Sequence, residues 1–442
     1  MIVCDAEATV ARSLESARAV ADEIVIADTG STDRTRELAA EYGARVISIP
    51  WENDFARARN KALEEVHGEW VLVLDADEVL DPEATQVIPD LLSRSTVAGY
   101  QVPIRNYVLT LNQHLWDRPA KPNTSDLPAA RDYPAYVQHE NVRLFRRLPE
   151  IFFEGRVHET VGSRILAAGL QLNDANFFIH HFGLTADRET RQRKNRLYRD
   201  LGRQKLRERP HDPQAHFELG IEELEDFQDA AAALPYFKRA SELNPRFSLG
   251  WTFAGIALLR LRRDREAIEC LKRAEESGPK TALAAEALGD AHYNLGDFES
   301  ARRHYRRAED RAGQSAMLES KLGLTEVRLG RTSSGLERLR RAVTNARGSA
   351  EVYDRLVTAC ISLQRLEEAA KTAEAKLQGG DPQPEWFLRA ASIRAQLGDF
   401  DGTDRLLIQG LKQFPSAQEL SHALSELQTL KGTTSSGLRQ SG

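Results

Sequence analysis

The sequence predicts a doubly wound α/β domain followed by an all-α solenoid of paired helices. Short, wholly apolar runs alternate with helical stretches over residues 1–185. Beyond about residue 190 the pattern is helical throughout, and it repeats with a period of about 34 residues. At 442 residues the chain is also too long for one ordinary core.

The first strand is expected at Met1–Cys4, followed by a periodic segment carrying Leu14, Ala17 and Val20. EIVIAD (23–28) reads as the second strand, and a helix over Asp33–Tyr42 stops at Gly43. RVISIP (45–50) is the third strand, FARARNKALEEV the next helix, and WVLVL the fourth strand, running directly into Asp75-Ala-Asp-Glu78. Strands apolar on both faces suit a sheet covered by helices on both sides, and β-α alternation implies parallel, right-handed crossovers. Ligands in such sheets sit beyond the carboxyl ends of the strands, where both DTGSTD (28–33) and DADE (75–78) fall.

In the second half, Trp251, Ala254, Gly255, Ala267, Leu271, Ala274 and Pro279 fit the tetratricopeptide template. One period on stand Leu288, Gly289, Ala301, Tyr305 and Ala308, then Leu322, Gly323, Leu339 and Ala342, with weaker copies on either side. The expected division is an α/β domain at 1–185, a basic helical linker at 186–211, an array of about six repeats with a cap helix at 212–430 and a disordered tail at 431–442. The linker, TRQRKNRLYRDLGRQKLRER, reads as a solvated or interdomain face, with an anionic partner as the alternative.

A net charge of −6 offers no overall attraction for nucleic acid, and no run is long enough for a membrane span. Three scattered cysteines argue against a disulfide framework and for a reducing, cytoplasmic setting.

MIVCDAEATVARSLES, EIVIADTGSTDRT, WENDFARARNKAL and GEWVLVLDADE follow one another in order. Together they resemble the nucleotide-sugar glycosyltransferases of family 2, which have the GT-A fold. The resemblance is closer to the bacterial subgroup with a C-terminal tetratricopeptide array, which includes enzymes that glycosylate peptides. ENVRLFRRLPEIFFEGRVHETV (140–161) and FFIHHFG (177–183) continue it. The subgroup usually reads Met-Ile-Val-Lys-Asn-Glu-Glu at the start; here Cys4, Asp5 and Ala6 replace the middle and Glu7 is kept, and a start upstream of Met1 is one expectation.

A nucleoside-diphosphate sugar leaves negative charge on the departing diphosphate, which Mn²⁺ or Mg²⁺ can neutralise through carboxylate ligands. Asp77 is the expected direct ligand. The resemblance implies that Asp75 contacts the ribose or reaches the metal through water, with Glu78 supporting the loop. Asp28 matches the family's nucleoside-binding aspartate, and Glu7 stands on the same donor side. Of Arg57, Arg59 and Asn60, one or two are expected to orient the donor, surface ion pairing being the alternative. An inverting transfer needs a carboxylate base on the face opposite the diphosphate. Glu159 in GRVHET is the candidate, Glu154 the reserve, and His158 a diphosphate contact or a loop support. His181 is expected as a late metal ligand or diphosphate contact; its neighbour His180 must point to the opposite face of the strand. The proline-rich stretch 117–140 suits a lid, an acceptor loop or a disordered insertion.

LDADEV also resembles the first motif of haloacid-dehalogenase-type phosphatases, but their downstream acidic motif is matched only by LGDAHYN and LGDF inside the repeats. The expected function is therefore metal-dependent transfer of a sugar from a UDP-sugar to an acceptor, with a peptide or protein docked on the array. The alternative is a non-catalytic repeat scaffold with a degenerate glycosyltransferase-like domain.

Overall fold

The computed structural model describes residues 1–109, 114–115, 118–183, 188–346, 348–379 and 382–437. Their contacts divide the chain into two compact units, Met1–Ala257 and Leu258–Gly442.

In the first unit, β1 (Ile2–Val3), β2 (Val25–Asp28) and β3 (Arg45–Ser48) form a parallel sheet, joined by α1 (Val10–Ala17) and α2 (Thr35–Glu41). β2 is buried along its whole length, so an unbroken apolar run ending in Asp28 is what its place requires. α3 (Phe55–Glu64) follows, capped by Asp54, whose carboxylate accepts from the Arg57 N–H at 2.9 Å.

The next strand departs from the expected parallel order. β4 (Trp70–Leu72) pairs antiparallel with β10 (Ala135–Arg146), whose other edge pairs antiparallel with β6 (Val97–Val108). β12 (Ile179–His181) then lies between β6 and β5 (Glu78–Leu80), and β11 (Gln171–Asp174) extends β6. The result is a parallel sheet beside a mixed one, because two twelve-residue strands draw β4 to their own edge. An apolar cavity of about 410 Å³, lined by Ile2, Val25, Leu63, Val71 and Val73 among others, lies between β1 and β4. Helices α4 (Ala84–Leu92) and α5 (Gly162–Ala167) cover the mixed sheet. Its core includes Leu80, Tyr100, Ile104, Leu144, Phe177 and Ile179, each side chain contributing about 1.5–3 kcal/mol by leaving water.

The stretch 117–140 is more structured than a plain insertion. Just after β7 (His114–Leu115), it holds the short strands β8 (Arg118–Pro119) and β9 (Lys121–Pro122), a 3₁₀ turn at Pro128–Ala130 and the start of β10. Asn123 staples it, its amide donating to the carbonyls of Ala130 and Tyr133 at 2.8 Å. Trp116 and Asp117 lie outside the described residues.

The basic linker is α6 (Arg188–Glu208), and it packs with α7 (Pro213–Ile221) and a π-helical turn at Glu222–Asp226. α8 (Ala230–Leu243) and most of α9 (Ser248–Arg260) complete the first unit. Phe217, Phe237 and Phe253 meet there at centroid distances of 5.4–5.8 Å.

The second unit continues with α10 (Asp264–Ser277) and the hairpins α11 (Ala282–Asn294) with α12 (Phe298–Ala312), α13 (Ala316–Arg328) with α14 (Thr332–Asn345), and α15 (Ala350–Ser362) with α16 (Leu366–Gln378). After them come α17 (Pro384–Gln396) with α18 (Phe400–Gln413), then α19 (Gln418–Gly437). Small residues stand where helices touch: a Cβ on Gly289 would come within 2.4 Å of the Tyr305 ring. The tail expected from 431 falls partly on α19 and partly on residues 438–442, which lie outside the described set. Among the described residues no helix is long and apolar enough to cross a membrane.

Candidate active site

At the end of β2, Asp28 is 1% exposed. Its Oδ1 accepts from the N–H groups of Gly30 (3.2 Å) and Ser31 (2.8 Å), while Oδ2 lies 3.3 Å from Arg36 Nε and has no hydrogen-bond partner. Gly30, at φ +122°, makes the tight turn that aims these donors back at Asp28. Beside it the first loop is tied down: Glu7 accepts from the Arg34 N–H at 3.0 Å, and Asp5 accepts from the Thr32 N–H at 2.7 Å. Glu7 and Asp28 are thus brought to the same end of the sheet.

The acidic cluster after β4 divides in two. Asp75 is held by arginines on both oxygens: Arg59 donates to Oδ1 at 2.8 Å, and Arg143 reaches Oδ2 at 3.2 Å. Burial alone would raise its pKa, but the two guanidiniums hold it well below the usual carboxylate range. Glu78, almost fully buried, accepts from Arg143 at 2.8 Å and from the Asp75 N–H at 2.8 Å, closing the turn that carries both. Burial, aided by the charge of Asp75, pushes Glu78 up against the pull of Arg143.

Asp77 faces the other way. Its Oδ2 lies 3.2 Å from His181 Nε2, both side chains being about one-third exposed (32% and 28%). On the far side of that ring, His181 Nδ1 donates to Asn106 Oδ1 at 2.8 Å. The Asn106 amide is fixed in that sense because its nitrogen donates to the Val137 carbonyl at 3.1 Å. His180 points to the opposite face, buried between the Tyr107 hydroxyl (2.8 Å) and Asp81 (2.9 Å). Gly183 leaves the Asp77–His181 pair open: a Cβ there would fall 2.5 Å from Nε2 and 2.8 Å from Oδ2.

Glu159 sits at the end of a tight loop closed by the paired backbones of Glu154 and Thr160. Arg59 donates through Nε to Glu159 at 2.5 Å while its other arm holds Asp75, so one buried guanidinium spans both carboxylates. Asn60, expected beside the donor, instead clasps the Phe153 backbone, accepting from its N–H at 2.8 Å and donating to its carbonyl at 3.0 Å. His158 is turned outward, its Nε2 3.6 Å from Glu222, rather than toward the carboxylates. Glu154 accepts from Ser163 at 3.0 Å and lies 3.8 Å from Arg209.

The donor geometry of the Asp77–His181 pair suits a divalent cation. Two ligand atoms 3.2 Å apart fit adjacent corners of an octahedron with bonds of about 2.1 Å. Among the described residues no three His, Cys, Asp or Glu side chains form a complete cation site. If a cation binds here, Asp77 and His181 would supply two donors, and the remaining positions would fall to phosphate and water, as is usual for Mg²⁺. Asp75 is already engaged by Arg59 and Arg143.

Several residues here escaped the sequence reading. Arg143 is a charge within the apolar alternation of β10, a signal visible only once NVRLFRR is known to be a central strand. Asn106 gives no sequence signal at all. Lys194 and Tyr198 of α6 also belong to the site: the Lys194 ammonium lies 5.4 Å from the Tyr198 ring and is favoured by Tyr198 and by the charges of Asp77 and Asp75. The basic helix thus turns part of one face toward the acidic cluster.

Residues 1–150 match the family described as glycosyl transferase family 2. Over these residues the chain is similar to family 2 glycosyltransferases. Residues 254–316 match the tetratricopeptide repeat, so the family 2 domain is followed by an array of this kind. A TPR repeat-containing protein of Synechococcus elongatus is 33% identical over 42% of this chain and 42% of its own length. The lipopolysaccharide core biosynthesis glycosyltransferase LpsC of Rhizobium meliloti is 36% identical over 24% of this chain and 42% of its own. The SPbeta prophage-derived glycosyltransferase SunS of Bacillus subtilis is 23% identical over 56% of this chain and 54% of its own. The chain thus spans about half or less of the length of these relatives. Glu159 and His181 lie beyond the stretch matched to family 2.

Proposed function

We propose that the chain transfers a sugar from a UDP-sugar to an acceptor, with inversion at the anomeric carbon. The observation that carries this reading is the Asp77–His181 pair, open and 3.2 Å apart, beside an Asp75–Arg59–Glu159 bridge at the ends of the strands of a family 2 domain. The buried Oδ2 of Asp28, ion-paired with Arg36 but without a hydrogen-bond partner, suits an N–H or O–H of the nucleoside, since a buried acceptor without a donor is costly. Asp77 and His181 would hold Mn²⁺ or Mg²⁺, which when bound neutralises charge on the diphosphate. Lys194 adds a cation on the same side.

Glu159 acts as the base. Its Oε1 is fixed by Arg59, and Oε2 takes the acceptor's proton as the acceptor atom bonds to the anomeric carbon and the diphosphate leaves with the bonding pair of the broken C–O bond. Arg59 keeps the base at a set distance from Asp75. The repeat array supplies a surface for a peptide or protein acceptor, or for a partner that delivers one. The three cysteines, none of them joined in a disulfide, fit a reducing, cytoplasmic setting.

Titration calorimetry of UDP with and without Mn²⁺, on the wild type and on Asp77→Ala, tests the reading. Mn²⁺-dependent binding that weakens about tenfold in the variant is expected. Absence of UDP binding by the wild type in both conditions would overturn it and favour the scaffold; unchanged binding by the variant would remove the role of Asp77.

A further inference from the structure

The loop that carries Glu159 is gripped from outside by helices that follow the family 2 domain. Lys205 of α6 is 6% exposed, yet its ammonium enters this loop, donating to the Val157 carbonyl at 3.0 Å and to Glu218 of α7 at 2.7 Å. Arg156, one residue earlier, is paired with Glu208 at 2.7 Å, and its carbonyl accepts from the Phe55 N–H at 2.9 Å. His158, one residue later, stands against Tyr198 edge to face at 6.2 Å, and Tyr198 in turn meets Phe55 at 5.6 Å.

Glu222 is the less ordinary member of this set. It is 5% exposed, and neither carboxylate oxygen has a hydrogen-bond partner. A buried charge of that kind is costly unless it has a counter-charge. The ring facing it is His158, whose Nε2 is 3.6 Å from Oε1, whose pKa that carboxylate helps to raise against its burial, and whose backbone is left-handed at φ +53°. A non-glycine residue in that region is held there by its surroundings. Glu222 also opens the π-helical turn, and Gly202 of α6 makes room for it, since a Cβ there would lie 3.2 Å from Oε2.

We propose that Lys205 and Glu222 are positioning residues for Glu159, fixing the 155–159 loop through the Val157 carbonyl and the His158 ring. Neither touches the reacting atoms. Both act through the two residues that precede the base, so their loss should affect the chemical step more than donor binding. This rests on the assignment of Glu159 as base, whereas the grip on the loop does not.

Hydrogen exchange and turnover on the full chain test the proposal separately. Lys205→Met removes both bonds and keeps the stem; Lys205→Met with Glu218→Gln also neutralises the stranded carboxylate, in case the single variant folds poorly. Glu222→Gln removes the charge opposite His158. In the first two variants amide exchange at Gly155–Glu159 should rise about tenfold or more, with residues 282–413 unchanged, and Glu222→Gln should give a smaller rise of the same sign. UDP release from a panel of UDP-sugars with Mn²⁺ should lose about tenfold in kcat, with donor KM within about twofold. The proposal falls if exchange in the loop is unchanged, if it rises equally throughout residues 1–257, or if the loop loosens while kcat stays at the wild-type value. A wild type that releases UDP from no sugar defeats the enzyme reading, and exchange alone then decides whether these residues hold the loop.

Discussion

Arg59 joins two carboxylates that would otherwise repel across the crevice, and its side chain is only 10% exposed. Replacing it with Met strands Glu159 and leaves Asp75 with Arg143 alone, and breaking a buried pair in this way costs about 3–5 kcal/mol. Urea unfolding should show that loss, and Arg59→Lys should recover only part of it, because an ammonium cannot offer two parallel arms to two partners. For the Asp77–His181 pair the expectation differs. Both groups are partly exposed, so Asp77→Ala and His181→Ala should each leave the melting temperature within about 2 °C. Each should weaken UDP binding in Mn²⁺ about tenfold, and the double variant should be little worse than either single one, since the two ligands hold one cation. Fully additive losses in calorimetry would show that they act apart. At this scale the sequence made Asp75, Asp77, Asp28 and Glu159 legible, because carboxylates at strand ends and after tight turns have few other uses. It left Arg143 and Asn106 unseen, since their partners come from strands far away in the chain. Asn60 and His158 were legible as polar residues near the crevice, but the direction in which they point depends on Phe153 and Glu222.

Among elements, the first three strands and α1–α3 could be read from apolar runs and stop signals, and they lie within a residue or two of their expected places. β6 and β10 could not. Their alternation is broken by Pro103 and by several charges, and their antiparallel pairing, with a register irregularity between Val142 and Leu144, leaves no local trace. The repeats were legible for the opposite reason: every contact between helices is made with a near neighbour in sequence. One such contact is sensitive to pH. His292 of α11 and His304 of α12 stack with ring centroids 5.2 Å apart, and His304 Nδ1 is buried without a hydrogen-bond partner. Burial, aided by the neighbouring His292 and Arg307, lowers His304 from about 6.5 to about 4, and burial lowers His292 as well. Their folded pKa values lie below the unfolded ones, so the neutral pair contributes stability above about pH 6.5, which is lost as pH falls toward 4. Between pH 7 and 5 the array should lose about 1–2 kcal/mol from this source. Urea unfolding followed by far-ultraviolet circular dichroism should show a smaller pH effect in His304→Gln; an equal effect would place the sensitivity elsewhere.

For the whole molecule, the sequence marks a change of grammar near residue 185, whereas contacts group everything up to Ala257 into the first unit. The difference is physical. A composition shift records where strands stop; it does not record that Lys205, Glu218 and Tyr198 pack against Val157, His158 and Phe55. Two truncations separate these boundaries. A chain ending at residue 185 keeps every proposed donor ligand and the base, but it loses Lys194 and the outer grip on the Glu159 loop. A chain ending at Pro279 keeps both, together with the whole Phe217–Phe237–Phe253 cluster. The longer truncation should therefore bind UDP with Mn²⁺ within about threefold of the full chain, a difference of about 0.7 kcal/mol. The shorter one should bind about tenfold more weakly and show fast amide exchange over 155–159. If an acceptor docks on the later repeats, the longer truncation should still hydrolyse donor slowly but fail to modify that acceptor. Equal affinity and loop protection in both truncations would place the functional boundary at 185 and leave α6 and α7 as a spacer.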